Sequence, residues 1–256
     1  MQRFGGGTLI FGTVGSLGVV LIIAITFFDS NSTDDIARPA PASAALAARP
    51  APAPAAAPTT GPVPVSRIEP VAFLDASRRG TADFTNSDFD AAKARFEQAL
   101  KARPGDPELA NNLGLTLERM GQLDAAMARY AQAVQFGPKV WAYHFNLAHA
   151  ASLRSEWDRA IAEYRAARDL FPDDYATQYN LAVTLHHKGD EVAAIPEFEK
   201  AIGLAPEQSS FHLSLAAALE KAGRTGDAKR EYQQYLDMAP NAVDADAVRV
   251  HLQGLT

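Results

Sequence analysis

The amino-acid sequence predicts an all-α fold: a solenoid of helical hairpins that follows one membrane-spanning helix and a proline-rich linker. Three observations predict this architecture. Similar stretches recur at a constant offset of 34 residues, beginning at Asn111, Phe145, Tyr179 and Leu213. An uncharged apolar run occupies residues 8–28, and half of the 16 prolines lie within residues 37–66.

The apolar run consists of 21 residues without a charge, from Thr8 to Phe28. About 20 apolar residues in a helix span the hydrocarbon core of a bilayer. A cleavable signal peptide has a shorter apolar region and a small-residue cleavage site directly after it, whereas Asp29 follows here. We therefore expect residues 1–7 to be a short flank and residues 8–28 to be an uncleaved anchor that contacts the lipid bilayer.

Residues 29–66 are predicted to be a disordered linker rich in alanine and proline. Proline fixes φ and removes a hydrogen-bond donor, which disfavours a sustained helix or sheet. Residues 37–66 should form a semi-rigid spacer of about 3.1 Å per residue, reaching roughly 90 Å. This composition is typical of bacteria. Arg3 before the anchor favours a cytoplasmic N-terminus, so we expect the C-terminal part on the periplasmic side of the inner membrane.

Several columns of residues keep the 34-residue period through the rest of the chain. Small residues form two columns, aromatic residues a third and prolines a fourth: Gly114, Ala148, Ala182 and Ala216; Ala126, Ala160, Ala194 and Ala228; Tyr130, Tyr164, Phe198 and Tyr232; Pro138, Pro172, Pro206 and Pro240. Upstream, Gly80, Ala92, Phe96, Ala99 and Pro104 fit the same frame. The predicted units are residues 73–106, 107–140, 141–174, 175–208 and 209–242.

This pattern closely resembles the tetratricopeptide repeat family, whose period is 34 residues. The resemblance implies that residues 67–256 form a right-handed α-solenoid, in which the first helix of each unit lines a concave groove. Asp106 and Pro107 read as an N-cap and a first helical position. Residues 243–254 are predicted to form a capping helix, because the ends of a solenoid need a cover.

Two departures from the pattern predict local irregularities. Gly121, Gly189 and Gly223 stand where the turn between the two helices of a unit needs a positive φ. Ser155 replaces that glycine in the third unit, so we expect a strained turn or a turn of another type. Pro196 lies inside a second helix and is expected to kink it.

Composition and motifs point away from catalysis. The net charge of −6 argues against nucleic acid as a partner, and the absence of cysteine excludes thiolate chemistry. No nucleotide-binding, metalloprotease or nucleophile-elbow motif occurs. His149, His186 and His187 are the best metal-ligand candidates, but adjacent helical residues point about 100° apart. The sequence therefore predicts neither a catalytic site nor a metal or other cofactor.

Asparagines recur at one position of the predicted groove. The column contains Asn112, Asn146 and Asn180 and continues with Ser214. The resemblance implies a ladder that grips the backbone of an extended peptide, as in the superhelix of the O-GlcNAc transferases. A carboxamide carries both a donor and an acceptor, which matches a peptide unit. Selectivity would then come from neighbouring side chains, namely Asn111, Phe145, His149, Tyr179, Val183 and His186.

Other interpretations of the asparagine column remain open. The carboxamides can bond to the neighbouring unit, or the column can reflect duplication alone, although asparagine costs about 0.5–0.7 kcal/mol against alanine inside a helix. We predict a non-enzymatic scaffold or assembly factor that binds other polypeptides. The alternatives are a self-associating scaffold, assembled through the anchor or the convex faces, and a non-catalytic subunit of an envelope enzyme or secretion complex.

Overall fold

The computed structural model describes residues 69–255, with side chains from residue 73 onward. The predicted anchor at residues 8–28 and linker at residues 29–66 lie outside the described residues. Within the described part, the all-α solenoid is confirmed. Its eleven helices are α1 Glu69–Thr85, α2 Phe89–Ala102, α3 Pro107–Arg119, α4 Leu123–Phe136, α5 Trp141–Leu153, α6 Trp157–Leu170, α7 Tyr175–Lys188, α8 Glu191–Leu204, α9 Ser209–Lys221, α10 Thr225–Met238 and α11 Ala245–Gly254.

The helices pack in sequence as five hairpins and a final single helix. Each hairpin pairs a first helix (α1, α3, α5, α7 or α9) with a second helix, and every second helix ends two residues before a proline of the repeat column. Helix α1 begins four residues before the predicted unit, with Pro70 in its first turn, where the missing N–H costs nothing. Helix α11 begins at Ala245, two residues later than predicted.

The repeat columns form the core. The aromatic column lies between the paired helices, and Tyr130, Tyr164 and Phe198 are completely buried. The leucines at Leu113, Leu147, Leu181 and Leu215 are buried beside them. The predicted N-cap is confirmed, because Asp106 accepts hydrogen bonds from the backbone N–H groups of Glu108 and Leu109. In helix α11, Ala245 and Val248 are buried against the last hairpin.

Four hairpins are formed by helices α3 to α10, and the turn inside each of them contains a residue in the left-handed backbone conformation. This includes the turn without glycine. Gly121, Gly189 and Gly223 have φ between 73° and 89°, and Ser155 has φ 58°. The expectation of another turn type at Ser155 is wrong: Glu156 N–H donates to Ala151 O at 2.9 Å, as Gln122 N–H donates to Leu117 O at 2.8 Å. The two hydrogen-bond patterns match, so repeat geometry overrides a left-handed penalty of about 1–2 kcal/mol for a non-glycine residue.

Helix α8 runs continuously through Pro196 from Glu191 to Leu204. Residue 196 is exposed, so the proline ring points away from the core. Among residues 69–255, no helix combines the length and the apolar character needed to cross a bilayer.

Candidate functional site

The ten residues predicted to line the groove all lie on first helices α3, α5, α7 and α9. Nine of them are buried and His186 is half-buried. We call these four helices, together with α1, the inner row, because neighbouring first helices contact one another. Residues 143–152 of α5 and 176–185 of α7 are buried without interruption. The central units therefore expose only narrow parts of their first helices.

Polar side chains of the inner row bond across two unit junctions. Asn146 Nδ2 donates to Asn111 Oδ1 at 2.7 Å, between α5 and α3. The hydroxyl groups of Tyr179 and Ser214 share a hydrogen bond of 2.9 Å between α7 and α9. Both pairs are 35 residues apart, one more than the repeat period. Asn146 and Ser214 of the column are thus used between units, each bonding to a side chain of the neighbouring first helix.

The two aromatic groove residues contribute to the core. Phe145 is completely buried, and its ring meets that of Tyr164 edge-to-face at 5.5 Å. Tyr179 stacks on Phe211 of the next unit at 4.3 Å. The contact area that the sequence assigned to a ligand is thus used within the protein, because the first helices pack closely enough to cover these rings.

The bonded asparagines retain free hydrogen-bonding groups. Asn111 Nδ2 and Asn146 Oδ1 have no hydrogen-bond partner among residues 73–255, and neither atom is completely enclosed by the protein. The same holds for the carboxamide of Asn112, which is 8% exposed. These groups therefore reach solvent. Interchanging the O and N assignments of both members of the bonded pair still leaves one donor and one acceptor.

A second polar series lies near the C-terminal ends of the first helices, where sequence reasoning identified no site. Tyr130 donates to Glu118 Oε2 at 2.8 Å, and Tyr232 donates to Glu220 Oε2 at 2.9 Å. Burial, and next the Glu118 charge, raise the pKa of Tyr130. In the fourth unit the aromatic residue is Phe198, which has no hydroxyl. The residue at the position equivalent to Glu118 and Glu220 is His186. The two columns change together in the fourth unit but not in the third, where Ser152 replaces the glutamate and the buried Tyr164 hydroxyl has no hydrogen-bond partner among the described residues.

The three candidate metal ligands have separate neighbours. His149 Nδ1 lies 3.5 Å from Glu118 Oε1, and His186 Nδ1 lies 2.7 Å from Glu191 Oε2. The ring of His187 stacks on Trp157 at 5.5 Å. The described residues contain no group of three histidine, cysteine, aspartate or glutamate side chains arranged to hold a metal ion.

Comparisons with known proteins agree with this geometry. The family model described as "Tetratricopeptide repeat" matches residues 77–140 and 145–209, together just over half of the chain. The chain belongs to the tetratricopeptide repeat family. A search of curated protein sequences finds no match.

Solved tetratricopeptide structures share the fold at low sequence identity. "Crystal structure of MamA protein" is 23% identical, with a TM-score of 0.64 over 68% of this chain and 94% of the other. PilF from Pseudomonas aeruginosa is 17% identical, with a TM-score of 0.61 over 72% and 84%. A thermophilic tetratricopeptide protein from Thermus thermophilus is 21% identical, with a TM-score of 0.50 over 72% and 98%. These likenesses establish the architecture.

A histidine of the third tetratricopeptide unit pairs with a carboxylate on the second helix. The pKa of His144 is raised, chiefly by the 2.7 Å hydrogen bond from Nδ1 to Glu163; burial opposes this effect, and the Pro138 carbonyl near Nε2 adds to it. His144 itself is buried.

This pair should make stability depend on pH. A raised pKa in the folded state gives stabilisation that is complete below the unfolded pKa of about 6.5 and is lost as pH rises through the folded value. Glu163→Gln should therefore lower the free energy of unfolding most near about pH 5.5 and least above about pH 9. Urea unfolding at both values tests this, with the exposed Glu199→Gln as the control. A Glu163→Gln effect that does not vary with pH would contradict the prediction.

Proposed function

We propose that this protein is a non-enzymatic scaffold that binds an extended polypeptide along its inner row. The observation that carries the proposal is the solvent-reaching donor and acceptor of the Asn111–Asn146 pair, beside the unpaired carboxamide of Asn112. The proposal includes an anchor at residues 8–28 in a bacterial inner membrane, with the solenoid on the periplasmic side. A compartment-specific reporter fused after Thr256 tests that topology, and activity only in the cytoplasm would contradict it.

The bonded pair can act as a fixed clamp for a peptide unit. The 2.7 Å bond holds the two carboxamides in one arrangement, so that less rotamer freedom is lost when a ligand binds. The remaining N–H group can donate to a ligand carbonyl, and the remaining oxygen can accept from a ligand N–H. Asn112, the next residue of α3, adds a second carboxamide about 100° further round the helix. Recognition of this kind favours an extended backbone over a particular sequence.

Selectivity requires groups beside the clamp, and a half-buried charge on the inner row supplies one. The carboxylate of Glu118 on α3 is half-buried, and its Oε1 lies 3.5 Å from His149 Nδ1. A ligand with a positively charged side chain near the clamp would meet Glu118, at a position where water is partly excluded. We therefore expect a preference for basic over acidic residues next to the clamped peptide unit.

The proposal is tested by selecting linear peptides that bind the full-length protein in detergent and measuring their Kd for variants. Asn112→Ala should weaken binding about 5- to 10-fold, since a net hydrogen bond contributes about 1 kcal/mol. Replacing Asn111 and Asn146 together should weaken it further, by about 10- to 100-fold in total. Thermal unfolding identifies variants that have lost the fold.

Two controls separate backbone recognition from other causes. Asn241→Ala changes an exposed asparagine outside the helices and should leave Kd unchanged. A ligand with one N-methylated peptide bond at the clamped position should lose affinity, whereas exchanging uncharged side chains should matter little. If a variant with Asn111, Asn112 and Asn146 all replaced by alanine keeps the affinity of the wild type, the proposed clamp is wrong.

Self-association is the second candidate function, favoured by the C-terminal end of the solenoid. A terminal cover is normally polar, yet Val243 is fully exposed and Val250 is 70% exposed on this end. Sedimentation of the same samples distinguishes the two functions. Concentration-dependent assembly that Val250→Lys removes, without peptide binding, would favour a self-associating scaffold.

A further inference from the structure

One edge of the solenoid carries a stripe of exposed apolar side chains. We call it the loop edge: the edge at which each second helix ends and the next first helix begins. The exposed apolar residues along it are Phe136, Val140, Leu170, Phe171, Tyr175 and Leu204, with exposed fractions of 37–50%. Contiguous exposed apolar surface of this kind marks a place where another segment binds, whereas isolated exposed residues do not.

Aromatic contacts make the stripe continuous between successive units. Trp141 lies 5.4 Å from Phe171, and Tyr175 lies 6.0 Å from Phe211, measured between ring centroids. Further along, the Phe136 ring faces Gly105 of the preceding loop. The exposed rings Phe136, Phe171 and Tyr175 are thus held by the fold on one side, and Tyr175 is held by the buried Phe211. Rigid aromatic side chains provide contact area at a low cost in conformational entropy.

The charge along the loop edge differs from unit to unit: the exposed Lys139 follows Phe136, whereas two aspartates lie between Phe171 and Tyr175. Asp173 is exposed between Phe171 and Tyr175, and within residues 73–255 it has no ion-pair partner. Asp174 caps helix α7 by accepting from Thr177 N–H at 2.8 Å, which leaves its charge in place. An occupant of this edge should therefore be apolar and extended, and where it passes Asp173 it should be basic rather than acidic.

Residues 37–66 of the same chain have this chemistry. They contain eight of the 16 prolines, together with Arg38 and Arg49, and no acidic residue. Proline-rich segments bind aromatic-lined surfaces as polyproline II helices, because their conformation is already fixed before binding. We propose that this segment lies along the loop edge, with its prolines against the exposed rings and an arginine near Asp173. The proposal does not depend on peptide binding by the inner row.

The connectivity of the chain places the segment at the right edge. Helix α1 is a first helix, so its start at Glu69 lies on the loop edge, and residue 66 precedes it by three positions. Neighbouring helices pack about 8–10 Å apart, and polyproline II rises about 3.1 Å per residue. About ten residues therefore pass three units. A covalent link of this length raises the effective concentration to about the millimolar range.

The two tryptophans of the chain provide the test. Trp141 is on the loop edge, whereas Trp157 begins a second helix and stacks on His187 at the opposite edge. In full-length protein in detergent, Trp157→Phe leaves Trp141 as the single tryptophan. Replacing the eight linker prolines by serine in this background should shift the Trp141 emission to longer wavelength and increase its quenching by acrylamide.

The matched control is Trp141→Phe, in which Trp157 reports on the opposite edge. The same eight substitutions should leave Trp157 emission and quenching unchanged, and circular dichroism should confirm equal helix content in all four proteins. Unchanged Trp141 quenching on replacement of the prolines would overturn the proposal. So would protection of Trp141 that increases with protein concentration, because the occupant would then be another molecule.

Discussion

Replacing Phe198 by alanine is expected to lower the free energy of unfolding by about 3–5 kcal/mol. Phe198 is completely buried between the paired helices of the fourth unit, and its ring meets that of Tyr179 at 5.8 Å. The substitution removes the transfer free energy of the ring and leaves a cavity that the surrounding helices can fill only in part. Phe198 has no hydroxyl, so no hydrogen bond is lost and the effect measures packing alone.

Urea unfolding followed by circular dichroism measures this change, and Val192→Ala is its control. Both residues are apolar and lie on helix α8, but Val192 is 88% exposed. This substitution should change the free energy of unfolding by no more than about 0.5 kcal/mol, as is usual at exposed positions. Equal losses for the two variants would show that burial in the aromatic column does not determine the stability of the solenoid.

Gly114→Ala is expected to destabilise the protein by a net amount of about 1–2 kcal/mol. A Cβ atom at this position would lie 2.6 Å from Cε1 of Tyr130, whose ring is completely buried and whose hydroxyl is bound to Glu118. Crowding of this kind typically costs about 1–3 kcal/mol, while alanine regains up to about 1 kcal/mol of helix propensity. The ring cannot move away without breaking its hydrogen bond, so the steric cost exceeds the gain.

The same substitution at Gly203 should have the opposite sign. Gly203 lies within helix α8, and a Cβ atom there would meet nothing within 4 Å. Only the propensity difference remains, so Gly203→Ala should stabilise the protein by up to about 1 kcal/mol. Thermal unfolding of both variants beside the wild type tests the pair. Stabilisation by Gly114→Ala would mean that helix α3 can shift away from Tyr130.

The repeated columns made the architecture predictable from the sequence. Small residues allow two helices to approach closely, aromatic residues fill the space between them, and prolines end the second helix. Because each position has one local role, the spacing of these residues predicts the hairpins. The conformation of Ser155 was not predictable from its residue type. Its turn is closed by the same backbone hydrogen bonds as the turn at Gly121, and these bonds belong to the hairpin.

The inner row was only partly predictable. A 34-residue period identifies equivalent positions, but the bonds between units join positions that are 35 residues apart. Whether Phe145 contacts a ligand or the core depends on how closely successive first helices approach, and no single unit encodes that distance. The sequence could therefore identify the asparagine column, while its division into bonded and solvent-reaching groups required the packed structure.

The two edges of the solenoid are held by different forces. Opposite the loop edge, ion pairs connect successive units: Asp124 with Arg154, Asp158 with Lys188, and Glu191 with Lys221 at 2.8 Å. Dissolved salt screens exposed charges but does not weaken contacts between aromatic rings. Raising the ionic strength should therefore weaken the junctions between units more at this edge than at the loop edge, where the less exposed Arg168 pairs with Glu197 of the next unit at 3.1 Å.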